Sequence, residues 1–545
     1  MHVNPVNVDQ QQPPPAAAPA NRTNRSSLPI DIARATAGPV LGRQFRDQAR
    51  KTGARIAVDD GVHMRSYAEL DVRVNRLANA LLARGAEPGD RVAILSENRN
   101  EYLETQLACA KAGLTAACQN WRQSSTELRH CVDLVAPKVL LHSPRHRVAA
   151  AALAPPEARI EFGDAYEDML AAASSLDPDI GIQPEDGLLI LYTSGTTGYP
   201  KGALISHRAM IARGLLMYAD WHLAHDDTFV AWAPLFHMAS ADLALATLCH
   251  GGTVRVIDGF DVPRLLHTIA QDQISWLVLM PGMIDRLIAA LREAGTVPKG
   301  IRLAGCMANL VPPQSIADIT ALLCTPFLNS LGSTETGIAP TSRNLIPAGI
   351  APSSLAKEQS SGCDIRLVDP DDQEVPDGEV GEMSLRSATL FSGYWQADAV
   401  NHVDFRAGWF HMGDLFRRLP DGKLDFVDRK KYLIKSGGEN IYPAEIEKVL
   451  MEDSRVADAV VVRRRDAQWG EVPVAYVVPR DESLTVEMLL TRCRASIAGY
   501  KLPKAVYFVS DDALPRSETG KIKRHELERR AADDAASDET SGSGP

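Results

Sequence analysis

Between Arg91 and Ser143 the chain alternates two kinds of apolar patterning. RVAILSEN (91–98) is a β-like run, EYLETQLACAKAG (101–113) has helical spacing and a glycine stop, and LTAACQN (114–120) is extended again. A second helix is signalled by the cap Ser124-Ser125-Thr126-Glu127, and KVLLHS (138–143) is the next strand. Strands that alternate with helices build βαβ units, so this stretch predicts a mainly parallel sheet with helices on its faces. The alternation resumes with TFVAWAPL (228–235), TVRVID (253–258), a helix over 262–272, WLVLMPG (276–282) and RLAGC (302–306).

A chain of 545 residues exceeds a single core, and two or more domains are expected. After about residue 360 the texture changes. DIRLVDPDDQEVPDGEVGEMSLRS (364–387) reads as a small β-rich segment. Beyond DFVDRKKYLIKSGGENIYP lies a compact α+β stretch, and the domain boundary is placed near Asp428. The first 27 residues, rich in Pro, Ala, Asn and Gln, and the tail from Ala531 read as disordered.

A formal charge of −11 argues against a nucleic-acid partner. No apolar run reaches the ~20 residues of a transmembrane segment, and the N-terminus lacks the charged and apolar regions of a signal peptide. Eight cysteines without a CxxC pair fit reduced thiols in a cytoplasmic protein.

The strongest local signal is YTSGTTGYPKG (192–202), which follows the apolar run 187–191. Backbone N–H groups of such a loop form an anion-binding nest. Thr193, Ser194, Thr196 and Thr197 add hydroxyl donors, Gly195 and Gly198 let the backbone close on the ligand, and Lys201 adds a positive charge. A helix starting near Ser206 is expected to add its positive dipole end. The lysine precedes a glycine and follows Pro200, which is not the order of a Walker loop.

This loop resembles that of the AMP-forming adenylating enzymes, the superfamily of acyl-CoA synthetases, nonribosomal-peptide adenylation domains and beetle luciferases. Further motifs follow in the family's order, and the resemblance spans roughly Leu41 to Glu528. It implies an α/β fold with a large N-terminal domain of layered, mostly parallel sheets (28–427) carrying a small β-rich subdomain. A small mobile α+β C-terminal domain (428–530) follows, between an N-terminal extension (1–27) and a tail (531–545).

The resemblance also implies roles. LGSTETG (331–337) would put Thr334 on the α-phosphate of ATP and Glu335 on Mg²⁺, a hard cation suited to oxygen ligands. Asn329 and Gly332 would border the nucleotide. Leu331 stands where the family commonly stacks an aromatic ring on adenine, and would offer a smaller apolar face. From the residues alone, Ser333 or Thr334 could equally be a helix N-cap. GWFHMGDL (408–415) would bind both ribose hydroxyls through Asp414, which by itself reads as a turn residue. In VDRKKYLIKSGGENIYP, Arg429 would also reach the ribose, Lys431 would be the hinge, and Ser436, Gly437 and Gly438 would line the channel for the pantetheine of coenzyme A. Lys521, in LPRSETGKIKR (514–524), matches the lysine that contacts substrate carboxylate and α-phosphate during adenylation.

APLFHMASAD (233–242) bears on the substrate. His237 matches a histidine of acyl-CoA synthetases at the acyl entrance, where amino-acid-activating domains carry an aspartate. Trp232, Met238, Ala239 and Ser330 are candidate acyl-pocket residues, although Trp232 could be plain core. Arg463-Arg464-Arg465 is a basic cluster that could contact CoA phosphates or end a solvated strand.

The implied reaction joins a small-molecule carboxylic acid to coenzyme A in two steps, through acyl-AMP with release of pyrophosphate. The alternatives are loading of a carrier protein or another acceptor, and a nucleotide-binding pseudoenzyme. The acid, whether medium- or long-chain fatty, alicyclic or aryl, is not readable, and a homodimer is left open.

Overall fold

Every residue of the helix Asn100–Ala112 is buried, and Gly113 closes it in the left-handed conformation at φ 69°. A helix buried all round must lie between two layers, and its ionisable residues are matched to suit. Glu104 accepts from Arg73 at 2.6 Å and from the Tyr166 hydroxyl at 2.9 Å, and the Lys111 ammonium donates to Asp71 and Asp177.

This computed structural model describes residues 38–193, 199–516 and 522–541, together with Pro29, Ile32 and Thr36. The chain divides into units Met1–Gly38 and Pro39–Pro545. In the first, Thr36 Oγ1 donates to the Ile32 carbonyl at 2.9 Å. The expected disorder of 1–27 lies outside the described residues.

The second unit holds the α/β architecture. A six-stranded sheet has the order Arg159–Glu161, Val139–His142, Arg91–Leu95, Thr115–Cys118, Gly187–Thr193, Lys201–Ser206, parallel except for its last pair. An eight-stranded sheet runs from Leu345–Ile346 to Met64–Ser66 and is parallel except at its two edges. The largest apolar cluster unites residues of both sheets, such as Ile94, Leu189, Phe229 and Leu328, around the buried helices Asn100–Ala112 and Met238–His250. The outer face of the eight-stranded sheet packs Ile284, Leu287, Ile316 and Ile319 from its helices in a second cluster.

The β-rich segment is a four-stranded antiparallel sheet, Cys363–Val368, Val380–Ser387, Phe410–Arg418 and Leu424–Arg429. The C-terminal sheet centres on Val456–Asp466 and Gly470–Pro479, flanked by helices Pro443–Met451 and Val486–Ser496.

Asp428 lies in the strand Leu424–Arg429, which the turn Lys430–Tyr432 follows. Two boundaries differ from expectation. The strand expected over 228–235 stops at Ala231, and beyond it the Asn98 side chain takes the backbone, donating to the Ala233 carbonyl and accepting the Leu235 N–H, both at 2.8 Å. The tail expected to be disordered from Ala531 begins inside a helix, Arg524–Ser541, and Ala531 packs with Leu527 against Val460 and Val462. The tail's alanines carry helix propensity that its polar composition hides. Among the described residues no helix is long and apolar enough to cross a membrane.

Candidate active site

The strands on either side of the glycine-rich loop pair with each other. Gly187–Thr193 pairs antiparallel with Lys201–Ser206, Thr193 opposite Lys201 and Gly187 opposite Ser206. Tyr192 pins the first strand, its buried hydroxyl donating to the Cys131 carbonyl at 2.9 Å and accepting from Gln119 at 2.9 Å. Ser194, Gly195, Thr196, Thr197 and Gly198 lie outside the described residues, as does Lys521. The helix capped by Ser206, His207–Trp221, begins at the far end of the second strand. Five residue steps of extended chain separate it from Lys201 by about 17 Å. A helix dipole acts only over its first turn, so the expected dipole contribution at the loop is absent. This is the structural meaning of the non-Walker order: the loop leads into a strand, not a helix.

Thr334 and Glu335 sit half-buried in a tight turn between Gly332–Ser333 and Gly337–Pro340. No helix starts there, so the N-cap alternative fails. A Cβ on Gly332 would stand 1.9 Å from the Gly337 carbonyl oxygen, which is why only glycine fits. Beneath the turn lies Arg213, fully buried. It donates to the carbonyls of Thr334 and Thr389 at 3.0 Å each and to Asp242 Oδ2 at 3.1 Å. Burial raises the Asp242 carboxyl above the usual carboxylate range even with Arg213 beside it.

Glu335 and Lys201 converge on one side chain. The Tyr394 hydroxyl donates to Glu335 Oε1 at 2.6 Å, and the Lys201 ammonium lies 3.9 Å from the Tyr394 ring centroid. Asp414 and Arg429 face each other across neighbouring strands, Nε to Oδ1 at 3.0 Å, with Asp414 buried and the Arg429 side chain 44% exposed. The Asp414 charge, with a smaller contribution from Glu335, holds the Arg429 guanidinium above its ordinary range. The site thus gathers the hairpin lysine, the Thr334–Glu335 turn and the Asp414–Arg429 pair from three separate parts of the chain.

Other expected residues fall differently. Leu331 does not present an open face. It is buried with Leu367, Met383, Phe416 and Leu424 in the core under the four-stranded sheet. Asn329 is fully buried: Oδ1 accepts from Lys357 Nζ and the Ala308 N–H, and Nδ2 donates to the Leu355 carbonyl. Both polar ends have partners within the protein. Trp232 joins Phe260 and Met283 in the outer-face cluster and donates to the Val278 carbonyl at 2.9 Å, whereas Met238 and Ala239 pack against the inner cluster. The structure therefore does not bring these acyl-pocket candidates together. Ser330 is half-buried beside Cys306, whose carbonyl accepts its N–H at 3.1 Å.

His237 caps the helix Met238–His250, its Nδ1 accepting the Ala239 N–H at 3.2 Å. An imidazole that accepts at Nδ1 carries its proton on Nε2 when neutral. Lys431 lies in the turn Lys430–Tyr432, its ammonium 5.0 Å from the Tyr432 ring. Ser436 ends the strand Ile434–Ser436, and Gly437 and Gly438 turn the chain with φ of 59° and 92°. Arg463 is engaged by Glu528 at 3.0 Å.

Residues missed from the sequence are Tyr394, Arg213, Asp242 and Lys357. None sits in a spacing pattern; each acts through partners distant in the chain. Lys357 is fully buried, and burial pushes its ammonium down to about 7. Between about pH 7 and about pH 10 the unfolded chain keeps a proton on this lysine that the folded chain has released. The folded state is then favoured as pH rises, so wild type should gain stability over Lys357→Met from pH 7 to 9. The gain is at most about 1.4 kcal/mol per pH unit, read as the difference in unfolding free energies by urea titration. A difference constant with pH would contradict it.

The hairpin loop, the carboxylate turn and the aspartate–arginine pair define a nucleotide-binding enzyme of the adenylating class. The AMP-binding enzyme model matches residues 45–395, and the AMP-binding enzyme C-terminal domain model matches 445–521. The chain belongs to this family. It is 36% identical over 491 residues to a feruloyl-CoA synthase of an Amycolatopsis species, covering 89% of this chain and 97% of that protein. It is 35% identical over 484 residues to an indoleacetate–CoA ligase of Aromatoleum aromaticum, covering 86% and 93%. Among solved structures it resembles the o-succinylbenzoate CoA synthetase of Bacillus subtilis in complex with its acyl-adenylate intermediate, with TM-score 0.78 and 27% identity over 89% of this chain and 97% of that one. ATP-bound MatB from Rhodopseudomonas palustris gives TM-score 0.78 and 28% identity over 90% and 99%.

Proposed function

We propose that the chain is an AMP-forming acid–thiol ligase that activates a carboxylic acid and transfers the acyl group to coenzyme A. The observation that carries the reading is the convergence of Lys201, Glu335, Asp414 and Arg429, two cations and two carboxylates suited to a polyphosphate, its metal and a ribose. In the first step a substrate carboxylate oxygen bonds to the α-phosphorus of ATP, the bond to the β-phosphate oxygen breaks, and pyrophosphate leaves. Lys201 and the hairpin loop hold the leaving phosphates, Thr334 the α-phosphate, and Asp414 with Arg429 the ribose. Lys521 offsets the charge of the meeting anions. In the second step the CoA thiolate bonds to the acyl carbon and AMP leaves. The small domain turns about Lys431 between the steps, removing Lys521 and bringing Ser436, Gly437 and Gly438 to the pantetheine channel.

Glu335 fits Mg²⁺ as a hard oxygen donor. Among the described residues no group of three or more His, Cys, Asp or Glu side chains is placed to hold a metal ion. One carboxylate with substrate phosphates is the usual way this ion is bound. Magnesium would supply charge neutralisation on the triphosphate.

The feruloyl-CoA and indoleacetate–CoA relatives favour an aryl or arylalkyl acid, and His237 at the acyl entrance fits an acid without an α-amino group. Cytoplasmic location fits the thiol content. The test is a nucleotide chromatogram after incubation with MgATP, CoA and acids graded in length and aromaticity. AMP and a thioester in equal amounts, greatest with aryl acids, are expected. ADP as product, or acyl-AMP persisting beside free CoA, would overturn the ligase reading.

A further inference from the structure

The segment that carries Tyr394 is fastened to the phosphate hairpin by backbone. The Leu204 N–H donates to the Gly393 carbonyl, the Ser392 N–H to the Leu204 carbonyl, and the Trp395 N–H to the Gly202 carbonyl, with Ala203 opposite Tyr394. The Tyr394 backbone is held on its other side by Asn401, whose Oδ1 accepts its N–H at 2.7 Å and whose Nδ2 donates to its carbonyl at 2.9 Å. Phe391 packs edge-on against the ring at 4.9 Å, and the Phe391 N–H donates to the Glu335 carbonyl at 2.8 Å. The ring is therefore immobile relative to both the hairpin and the Glu335 turn.

That immobile ring is used twice. Its hydroxyl takes one oxygen of the Glu335 carboxylate, and its face lies under the Lys201 ammonium. A carboxylate has two oxygens and several lone-pair directions. Fixing Oε1 on a phenol leaves Oε2 in one orientation and removes rotamer freedom that a metal would otherwise have to freeze. The ammonium rests on the aromatic face as a cation–π contact, with the Asp404 carboxylate as a further charge near it.

We propose that Tyr394 is a positioning residue that orients Glu335 toward the metal of the bound triphosphate and Lys201 toward its leaving phosphates, coupling the two halves of the polyphosphate site. The proposal rests on the adenylation reading. It separates the two uses by variant: Tyr394→Phe removes the hydroxyl and keeps the ring, and Tyr394→Leu removes both.

The test uses the full chain with Mn²⁺ and α,β-methylene-ATP. Free Mn²⁺ is followed by electron paramagnetic resonance, and metal-free nucleotide affinity is measured by calorimetry. Tyr394→Phe is expected to weaken Mn²⁺ binding in the nucleotide complex about tenfold, the size of one hydrogen bond to a charged group, and to leave metal-free nucleotide affinity unchanged. Tyr394→Leu is expected to weaken both, the nucleotide about fivefold, through loss of the ring under Lys201. Wild-type Mn²⁺ affinity in Tyr394→Phe overturns the proposal while leaving the adenylation reading standing. Equal losses on both readouts in the two variants overturn it in favour of a packing role. A wild-type chain that binds neither nucleotide nor Mn²⁺–nucleotide overturns both.

Discussion

An Arg213→Met variant is expected to lose about 3–5 kcal/mol of folding stability, the usual effect of breaking a buried pair from one side. The cause is specific. Arg213 and Asp242 side chains are 0% and 1% exposed, so the charge left behind is cut off from bulk water. The same substitution strips donors from the carbonyls of Thr334 and Thr389, so it also frees the turn that carries Glu335. The double variant Arg213→Met/Asp242→Leu separates these consequences. Replacing both charges with apolar residues is often neutral, so stability should largely return. Adenylation should not, because the Thr334 carbonyl still lacks its clamp. Urea unfolding paired with acid-dependent pyrophosphate release measures both. A double variant that regained activity along with stability would show that the clamp does not matter.

Lys521→Ala is expected to slow pyrophosphate release by about 10²–10³-fold, the scale of removing one preorganised charge-stabilising donor. The effect should be confined to the first step. When the acyl adenylate is supplied ready-made, thioester formation with CoA should proceed at the wild-type rate, since the proposed domain rotation would remove this lysine before the thiol arrives. Single-turnover assays of the two steps provide the comparison. Equal slowing of both would place Lys521 in general domain docking instead of adenylation.

The two predictions draw on different sources. Lys521, outside the described residues, is proposed from the contiguous motif LPRSETGKIKR, and the motifs of Lys201, Glu335, Asp414 and Arg429 are contiguous too. Arg213 was not legible in this way. It stands in a helix, HRAMIARGLLMYADW, as an ordinary basic residue, and its worth comes from residues 29 and 121 positions away. Tyr394 and Lys357 were invisible for the same reason. Leu331 shows the opposite failure. Its place in the motif suggested a face for adenine, but apolar packing with Met383 and Phe416 claims the side chain. Trp232 continues the in–out alternation of its strand onto the outer face, whereas Met238 belongs to a helix that packs against the inner cluster.

The phosphate, ribose and hinge motifs were read from the family resemblance, whereas local patterning by itself determined the alternation of strands and helices and the parallel character of the sheets. Those depend on side-chain period, caps and glycines, which are properties of neighbours along the chain. Only the tertiary structure decided that a strand, Lys201–Ser206, and not a helix follows the phosphate loop, since strand and helix compete for the residues after Lys201. It alone placed Tyr394 between Lys201 and Glu335, and Arg213 beneath Thr334. Such contacts arise when distant segments share one dry interior, where an unpaired charge or carbonyl is costly and each must find its partner.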